Sequence, residues 1–285
     1  MKHNKEIGFV TLKLARVQLQ MFRRHVVGIH PFKAESATAK PLRALLLAAG
    51  FGTRLRPLTL HTPKCLVPVG GQPLLAHWLQ QLELIGTEAA LVNTHYLADQ
   101  VEDFLAGWQQ RSMGLKSSHE PSLLGTAGSL LANREFFKGC TGLLIHADNF
   151  SQADLSQLLA AHYQRPAGCL LTMLTFTTPR PSSCGIVEID AEGIVVGFHE
   201  KVAEPPGNRA NGALYVFDQP FLDWLATHHP NATDFSTDVL PDCLGSIYTW
   251  HTNSPYIDIG TPEALVEAEA ICTNLPMAYS IQSPK

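Results

Sequence analysis

Arg54, Arg56 and Lys64 place three cations within eleven residues, directly after a Gly50-Phe51-Gly52 turn, in a stretch running from Leu45 to Val69. Glycine lets backbone N–H groups face an anion, and fixed cations add charge, so this stretch is built for phosphate. Prolines 57, 63 and 68 keep it from becoming a helix. Two carboxylates close apolar runs much further on: Asp148 follows 142–147, and Asp258 follows Pro255-Tyr256-Ile257. A pair of carboxylates meeting phosphate oxygens suits Mg²⁺, which keeps waters and takes few protein ligands. Either aspartate also fits a helix N-cap, and spacing alone does not choose. Glu200-Lys201 reads first as a surface ion pair and Asn211-Gly212 as a turn. The glycines do not complete a dinucleotide fingerprint, because position 55 is Leu and no acidic residue follows at ribose-binding distance. No Gly-Lys-Ser/Thr run completes a P-loop either.

The elements that must hold these residues alternate. Leu45–Ala49 reads as a buried strand feeding the glycine turn. Leu74, Leu75, Trp78, Leu79, Leu82 and Ile85 recur at helical spacing between Pro73 and Gly86, a start and a stop. Strands are expected at 89–93, near 115–119, at 142–147 and at 169–176, with helices at 97–108 and 155–163 between them. That order predicts an α/β fold, a Rossmann-like, mostly parallel sheet flanked by helices. Gly185 to Val196 is two alternating runs around Gly193, an inserted β-hairpin. A strand at 212–217, helices at 219–228 and 261–273 and a strand near 248–251 complete the pattern.

The chain has 285 residues, 45% of them hydrophobic and 16% charged, which is globular composition. A formal charge of −4 favours neither nucleic acid nor an anionic membrane. Nine of the 21 Lys and Arg fall in residues 1–43 against Glu6 and Glu35, so residues 1–42 stand apart as a basic extension. Within it, 10–27 could form a basic amphipathic helix and 34–40 a linker. Six cysteines with no Cys-x-x-Cys pair read as reduced thiols, no apolar run nears the roughly 20 residues of a membrane span, and the start lacks a secretory signal pattern. A cytoplasmic protein is expected, with a main domain over 43–273 and a tail over 274–285.

The run from Leu45 to Val69 is similar to the signature of the sugar-1-phosphate nucleotidylyltransferases, Ala-Gly-x-Gly-Thr-Arg-Leu-x-Pro-Leu-Thr followed by Pro-Lys-x-Leu-x-Pro-Val. Further matches fall in family order: Leu124-Gly-Thr-Ala-Gly128, Asp148-Asn149, Gly185-Ile-Val-Glu188, Glu200-Lys201, Asn211-Gly-Ala-Leu-Tyr215 and Asp258-Ile-Gly-Thr-Pro-Glu263. The resemblance covers about 43–273. It implies that Ala48, Ala49, Gly50, Gly52 and Thr53 cradle the nucleotide, that Arg54 and Lys64 hold its phosphates, and that Glu120 and Gly125 lie against the base. It implies Asp148 and Asp258 as Mg²⁺ ligands. It places Glu200 and Asn211 on the sugar, Lys201 on the sugar phosphate, and Gly185 and Asn149 beside them. Arg54, Lys64, Lys201 and Asp148 would be the catalytic set.

The implied reaction condenses an NTP with a sugar 1-phosphate to give a nucleotide-diphospho-sugar and pyrophosphate. Glu120 and the short length resemble the mannose- or heptose-1-phosphate guanylyltransferases, so GTP is favoured, with UTP- or dTTP-dependent enzymes as the alternative. A non-catalytic regulator that binds a sugar nucleotide is the alternative of another class. A homodimer is compatible with the resemblance. Two departures stand out: Ala147 precedes Asp148 where the family usually has Gly, and Val202 follows Lys201 where Pro is common.

Overall fold

The structure is a computed structural model that describes residues 40–108 and 112–274. The readings made on residues 1–39 (basic extension, amphipathic helix and all of the linker but Lys40) and on the tail past 274 lie outside the described residues. The strands are β1 (Leu42–Leu47), β2 (Pro68–Val69), β3 (Gln72–Pro73), β4 (Ala89–Thr94), β5 (Gly114–His119), β6 (Thr141–His146), β7 (Asn149–Ser151), β8 (Leu171–Thr177), β9 (Gly185–Ile189), β10 (Val195–Glu200), β11 (Arg209–Phe217), β12 (Ile247–Thr252) and β13 (Tyr256–Asp258). The helices are α1 (Leu74–Leu84), α2 (Ala98–Gly107), α3 (Gly125–Ala132), α4 (Leu155–Tyr163), α5 (Gln219–His228) and α6 (Pro262–Asn274).

β1 is apolar except for Arg43, which pairs with Glu88, because both of its faces are covered. Ala44 and Leu46 join one buried cluster with Leu75, Trp78 and Leu79 of α1 and Leu155 and Leu158 of α4. Leu45 joins the opposite cluster with Ala127 and Leu130 of α3 and Phe221 and Leu225 of α5. β6, β1, β4 and β5 run parallel in that order. β11 joins β6 antiparallel and carries β8, β9 and β10 beyond it, with β12 parallel to β8. The result is a largely parallel central sheet between two helical layers, as the alternation predicts. The hairpin is β9 and β10, paired antiparallel.

The local signals act where expected. Pro73 precedes α1, and Gly86 takes φ +72° just after it, a left-handed stop that side chains resist. α4 is capped by Asp154, whose Oδ1 accepts from Ser156 N at 2.9 Å and Gln157 N at 3.3 Å. Asp148 is therefore not a cap: the short strand β7 follows it, not a helix. Nor is Asp258, because Thr261 Oγ1 accepts from Ala264 N at the start of α6. The Leu45–Val69 stretch forms three 3₁₀ turns, at 53–55, 58–60 and 64–66, and no α-helix.

Three features went unread. α3 forms over Gly125-Thr-Ala-Gly-Ser, whose two glycines are poor helix formers. β7 pairs antiparallel with β13, three residues each. Asn211-Gly212, read as a turn, lies inside β11 as a bulge: Asn211 stands opposite Thr175 and Tyr215 opposite Met173, so extra residues sit on the β11 side.

Candidate active site

Register brings the candidate residues to one edge of the sheet. Leu47 of β1 lies beside Asn93 of β4 and His146 of β6, so the chain leaves all three strands at the same end. This carboxyl edge of a parallel sheet is where α/β folds hold ligands. The glycine turn follows β1, and Asp148 follows β6. The β7–β13 pair sets Asp258 opposite Asn149, which brings the second carboxylate next to the first.

Lys64 joins the two. Its Nζ lies 2.6 Å from Asp148 Oδ2 and 3.5 Å from Asp258 Oδ1, and Arg54 Nη2 lies 3.7 Å from Asp258 Oδ2. Lys64 is buried, whereas the Arg54 side chain is 64% exposed. Burial pushes the Asp148 carboxyl up, but Lys64, His146 and the hydrogen bonds it accepts together outweigh burial and hold the group below its ordinary value. Two glycines make the approach possible. Gly52 takes φ +60°, and a Cβ there would stand 3.1 Å from Lys64 Cβ. A Cβ on Gly260 would meet the Arg54 guanidinium at 2.9–3.0 Å.

The turn after β1 and the segment before α3 are tied by a buried polar chain. Asn93 Oδ1 accepts from Ala48 N at 2.6 Å and Ala49 N at 3.2 Å, and its Nδ2 donates to Glu120 Oε1 at 2.9 Å. Ser129 Oγ also donates to Glu120 Oε1, at 2.5 Å, and Leu124 N donates to Oε2 at 3.1 Å. The amides of Ala48 and Ala49 thus serve Asn93, leaving Gly50, Phe51 and Thr53 exposed and Gly52 half-buried between them. Glu120 is 2% exposed, so it braces the segment before α3 and presents no carboxylate to open space. α3 is also gripped from outside: Ala127 N donates to Thr233 O at 2.9 Å, and Phe235 N to Thr126 Oγ1 at 2.7 Å. A Cβ on Gly125 would lie 2.3 Å from Thr233 O.

The sugar-side candidates form a second group. Lys201 Nζ pairs with Glu200 Oε1 at 2.7 Å, at the end of β10. Glu200 stands opposite Gly185, where a Cβ would come within 2.7 Å of Glu200 Oε2, so Gly185 makes room for that carboxylate. Asn211 Oδ1 accepts from Ala213 N at 2.9 Å and its Nδ2 donates to Tyr215 Oη at 2.7 Å, which shapes the bulge. Asn149 is buried, and its Nδ2 donates to Gly212 O and to Tyr256 Oη, both at 3.2 Å. Among the described residues no ion pair joins Lys201 to either aspartate.

The sequence reading missed Asn93, Ser129, Thr233 and Gly260. Asn93 had a signal: an amide closing the apolar run 89–92 must find buried partners. His146 was missed too. Its Nε2 is buried with no hydrogen-bond partner, and burial pulls its imidazole below the ordinary value.

A divalent cation fits the donor set. Two carboxylates already converge on one cation, the ammonium of Lys64, and Mg²⁺ asks for little more from protein. Among the described residues no group of three or more His, Cys, Asp or Glu gathers as a metal cage. The anion-facing turn, the cations and the carboxylate pair together can gather phosphates and neutralise them.

A family model described as nucleotidyl transferase matches residues 43–274. A mannose-1-phosphate guanylyltransferase of Mycobacterium tuberculosis is 32% identical over 233 residues, covering 80% of this chain and 63% of that protein. The catalytic subunit beta of mannose-1-phosphate guanylyltransferase of Drosophila melanogaster is 30% identical over 255 residues, covering 87% and 67%. A UTP–glucose-1-phosphate uridylyltransferase of Synechocystis is 29% identical over 237 residues, covering 77% and 60%. The chain thus spans 60 to 67% of the length of these relatives. A crystal structure from Bacillus anthracis, assigned as a glucose-1-phosphate thymidylyltransferase, superposes with a TM-score of 0.72 at 20% identity over 82% of this chain and 96% of that one. At that identity the likeness speaks for the fold alone.

Proposed function

Because the chain belongs to the nucleotidyl transferase family, we propose that it joins a nucleoside triphosphate to a sugar 1-phosphate, releasing pyrophosphate. The observation that carries this reading is the meeting of Lys64 and Arg54 with Asp148 and Asp258 at the carboxyl edge of the sheet. A sugar-phosphate oxygen attacks the α-phosphorus in line as pyrophosphate leaves. The nucleophile is anionic at neutral pH, so no general base is required, and the task is to bring two polyanions together. Gly50, Gly52 and Thr53 receive the triphosphate, and Arg54 and Lys64 neutralise it. Lys201 takes the sugar phosphate, with Glu200 and Asn211 on the sugar. Asp148 and Asp258 would hold Mg²⁺, whose charge would offset the phosphates. Ala48, Ala49, Glu120 and Asn149 act behind the cleft, holding the groups in front.

GTP and mannose 1-phosphate are the preferred pair, supported by relatives named guanylyltransferase at 30 and 32% identity. UTP with glucose 1-phosphate is second, supported by the uridylyltransferase at 29%. A cytoplasmic setting suits six free thiols. Pyrophosphate release measured over four NTPs and a panel of sugar 1-phosphates tests the proposal, with GTP and mannose 1-phosphate expected to turn over fastest. Silence with every pair, alongside tight binding of a sugar nucleotide, would replace the enzyme with a regulator.

A further inference from the structure

We propose that Lys64 is the resident cation of the Asp148–Asp258 pair, keeping a divalent ion's place until a metal-bound triphosphate exchanges with it; the proposal rests on the nucleotidyl-transfer reading. Antiparallel pairing of β7 with β13 fixes the two carboxylates near each other whether or not a ligand is present. Like charges at that range repel, and something positive must lie between them. Lys64 Nζ is that charge, at 2.6 and 3.5 Å. It differs from the other candidate cations in being buried: its side chain is 9% exposed, against 64% for Arg54 and 63% for Lys201.

The geometry also says what can move. The Lys64 backbone is held in its 3₁₀ turn by Val67 N donating to Lys64 O at 3.2 Å, and its Cβ packs beneath Gly52. Only the four-carbon stem is free to swing the ammonium. When a metal-bound triphosphate enters, phosphate oxygens can take Nζ as the carboxylates take the metal. Each charge passes from one opposite partner to another, and none is left buried and alone. A divalent ion arriving without phosphate has no such exchange to offer, because it strands the ammonium, and an unpaired buried charge is costly. The free protein should therefore bind metal poorly, and Lys64 should be the reason.

The experiment is a Mn²⁺ titration of the substrate-free protein, followed by electron paramagnetic resonance, for the natural chain, Lys64→Met and Lys64→Met with Asp148→Asn. Lys64→Met should bind Mn²⁺ about tenfold more tightly than the natural chain, since one competing charge has gone, and the double variant should lose that gain. Without divalent ions Lys64→Met should melt below the natural chain and recover on adding Mn²⁺, while the natural chain barely responds. Lys64→Gln gives the same comparison if the Met variant does not fold. An affinity in either Lys64 variant equal to or weaker than that of the natural chain overturns the proposal. Normal pyrophosphate release with no Lys64 effect sinks this proposal alone. A Lys64 effect without release for any substrate pair sinks the catalytic reading alone.

Discussion

At the start of β6, Thr141 Oγ1 donates to Asp218 Oδ1 at 2.9 Å, and the same carboxylate takes Lys40 Nζ at 3.1 Å and Arg165 Nη2 at 2.8 Å. His162 Nε2 stands 3.4 Å away. Just past the other end of β6, Asp148 and Asp258 share one buried ammonium, and Asp258 alone has a guanidinium, 3.7 Å away. The first carboxylate has more donors than it needs and a side chain 12% exposed, while the second pair has fewer and is 34% and 49% exposed. Asp218 works as a staple among β6, α4, α5 and Lys40. The Asp148–Asp258 pair keeps lone pairs facing open space, which a staple has no use for. A carboxylate's job is thus legible in what is left unsatisfied around it.

The sharpest test of that contrast is Asp148→Asn. It should lower turnover by on the order of 10²–10³ while changing stability by about 1 kcal/mol or less, read from steady-state rates beside a thermal melt. Loss of fold with turnover per folded molecule preserved would erase the distinction. Asp218→Asn should do the opposite. Removing the charge and one acceptor oxygen from a largely buried cluster of donors costs about 3 kcal/mol, or roughly 6–12 °C in melting temperature, with KM and kcat unchanged at a temperature where the protein is folded.

The same cluster predicts a pH dependence. Burial pulls the His162 imidazole below its ordinary 6.5. Burial pushes Asp218 up, but His162, Arg165, Lys40 and Thr141 together hold it well below 3.8. In both cases the unfolded chain binds more protons, so stability falls as pH drops below about 6.5 and falls further below about 4. Melts across pH 3 to 8 should show both steps, with the lower one weakened in Asp218→Asn. The smallest effect belongs to Lys40→Ala. Its side chain is 52% exposed, and its loss should cost under about 1 kcal/mol; a loss as large as that of Asp218→Asn would mean the cluster depends on its outermost arm.

Much of this arrangement could be read in advance, for local reasons. Leu45–Ala49 and 142–145 are apolar because both faces are covered, and Pro73, Gly86 and Gly193 act on their own neighbours. The signature around Arg54 and Lys64 marked the cations that meet Asp148 and Asp258. What stayed hidden depends on register. Asp258 reaches Asp148 only through the β7–β13 pairing, too short to leave a pattern. α3 owes its shape to Thr233 and Phe235, more than 100 residues away, rather than to its own weak propensity. Asn211-Gly212 has turn composition, and sheet pairing on both sides made it a bulge instead.

The β7–β13 pairing also bears on how the protein is made. A ribosome delivers the phosphate turn early, then Asp148, and Asp258 only 110 residues later. Until that last strand emerges, a nascent chain owns a phosphate turn and one carboxylate but not the pair. A product of interrupted translation ending before residue 258 lacks both the second carboxylate and the strand that brings it beside Asp148. The carboxylate pair is therefore complete only after every strand of the main sheet has been synthesised.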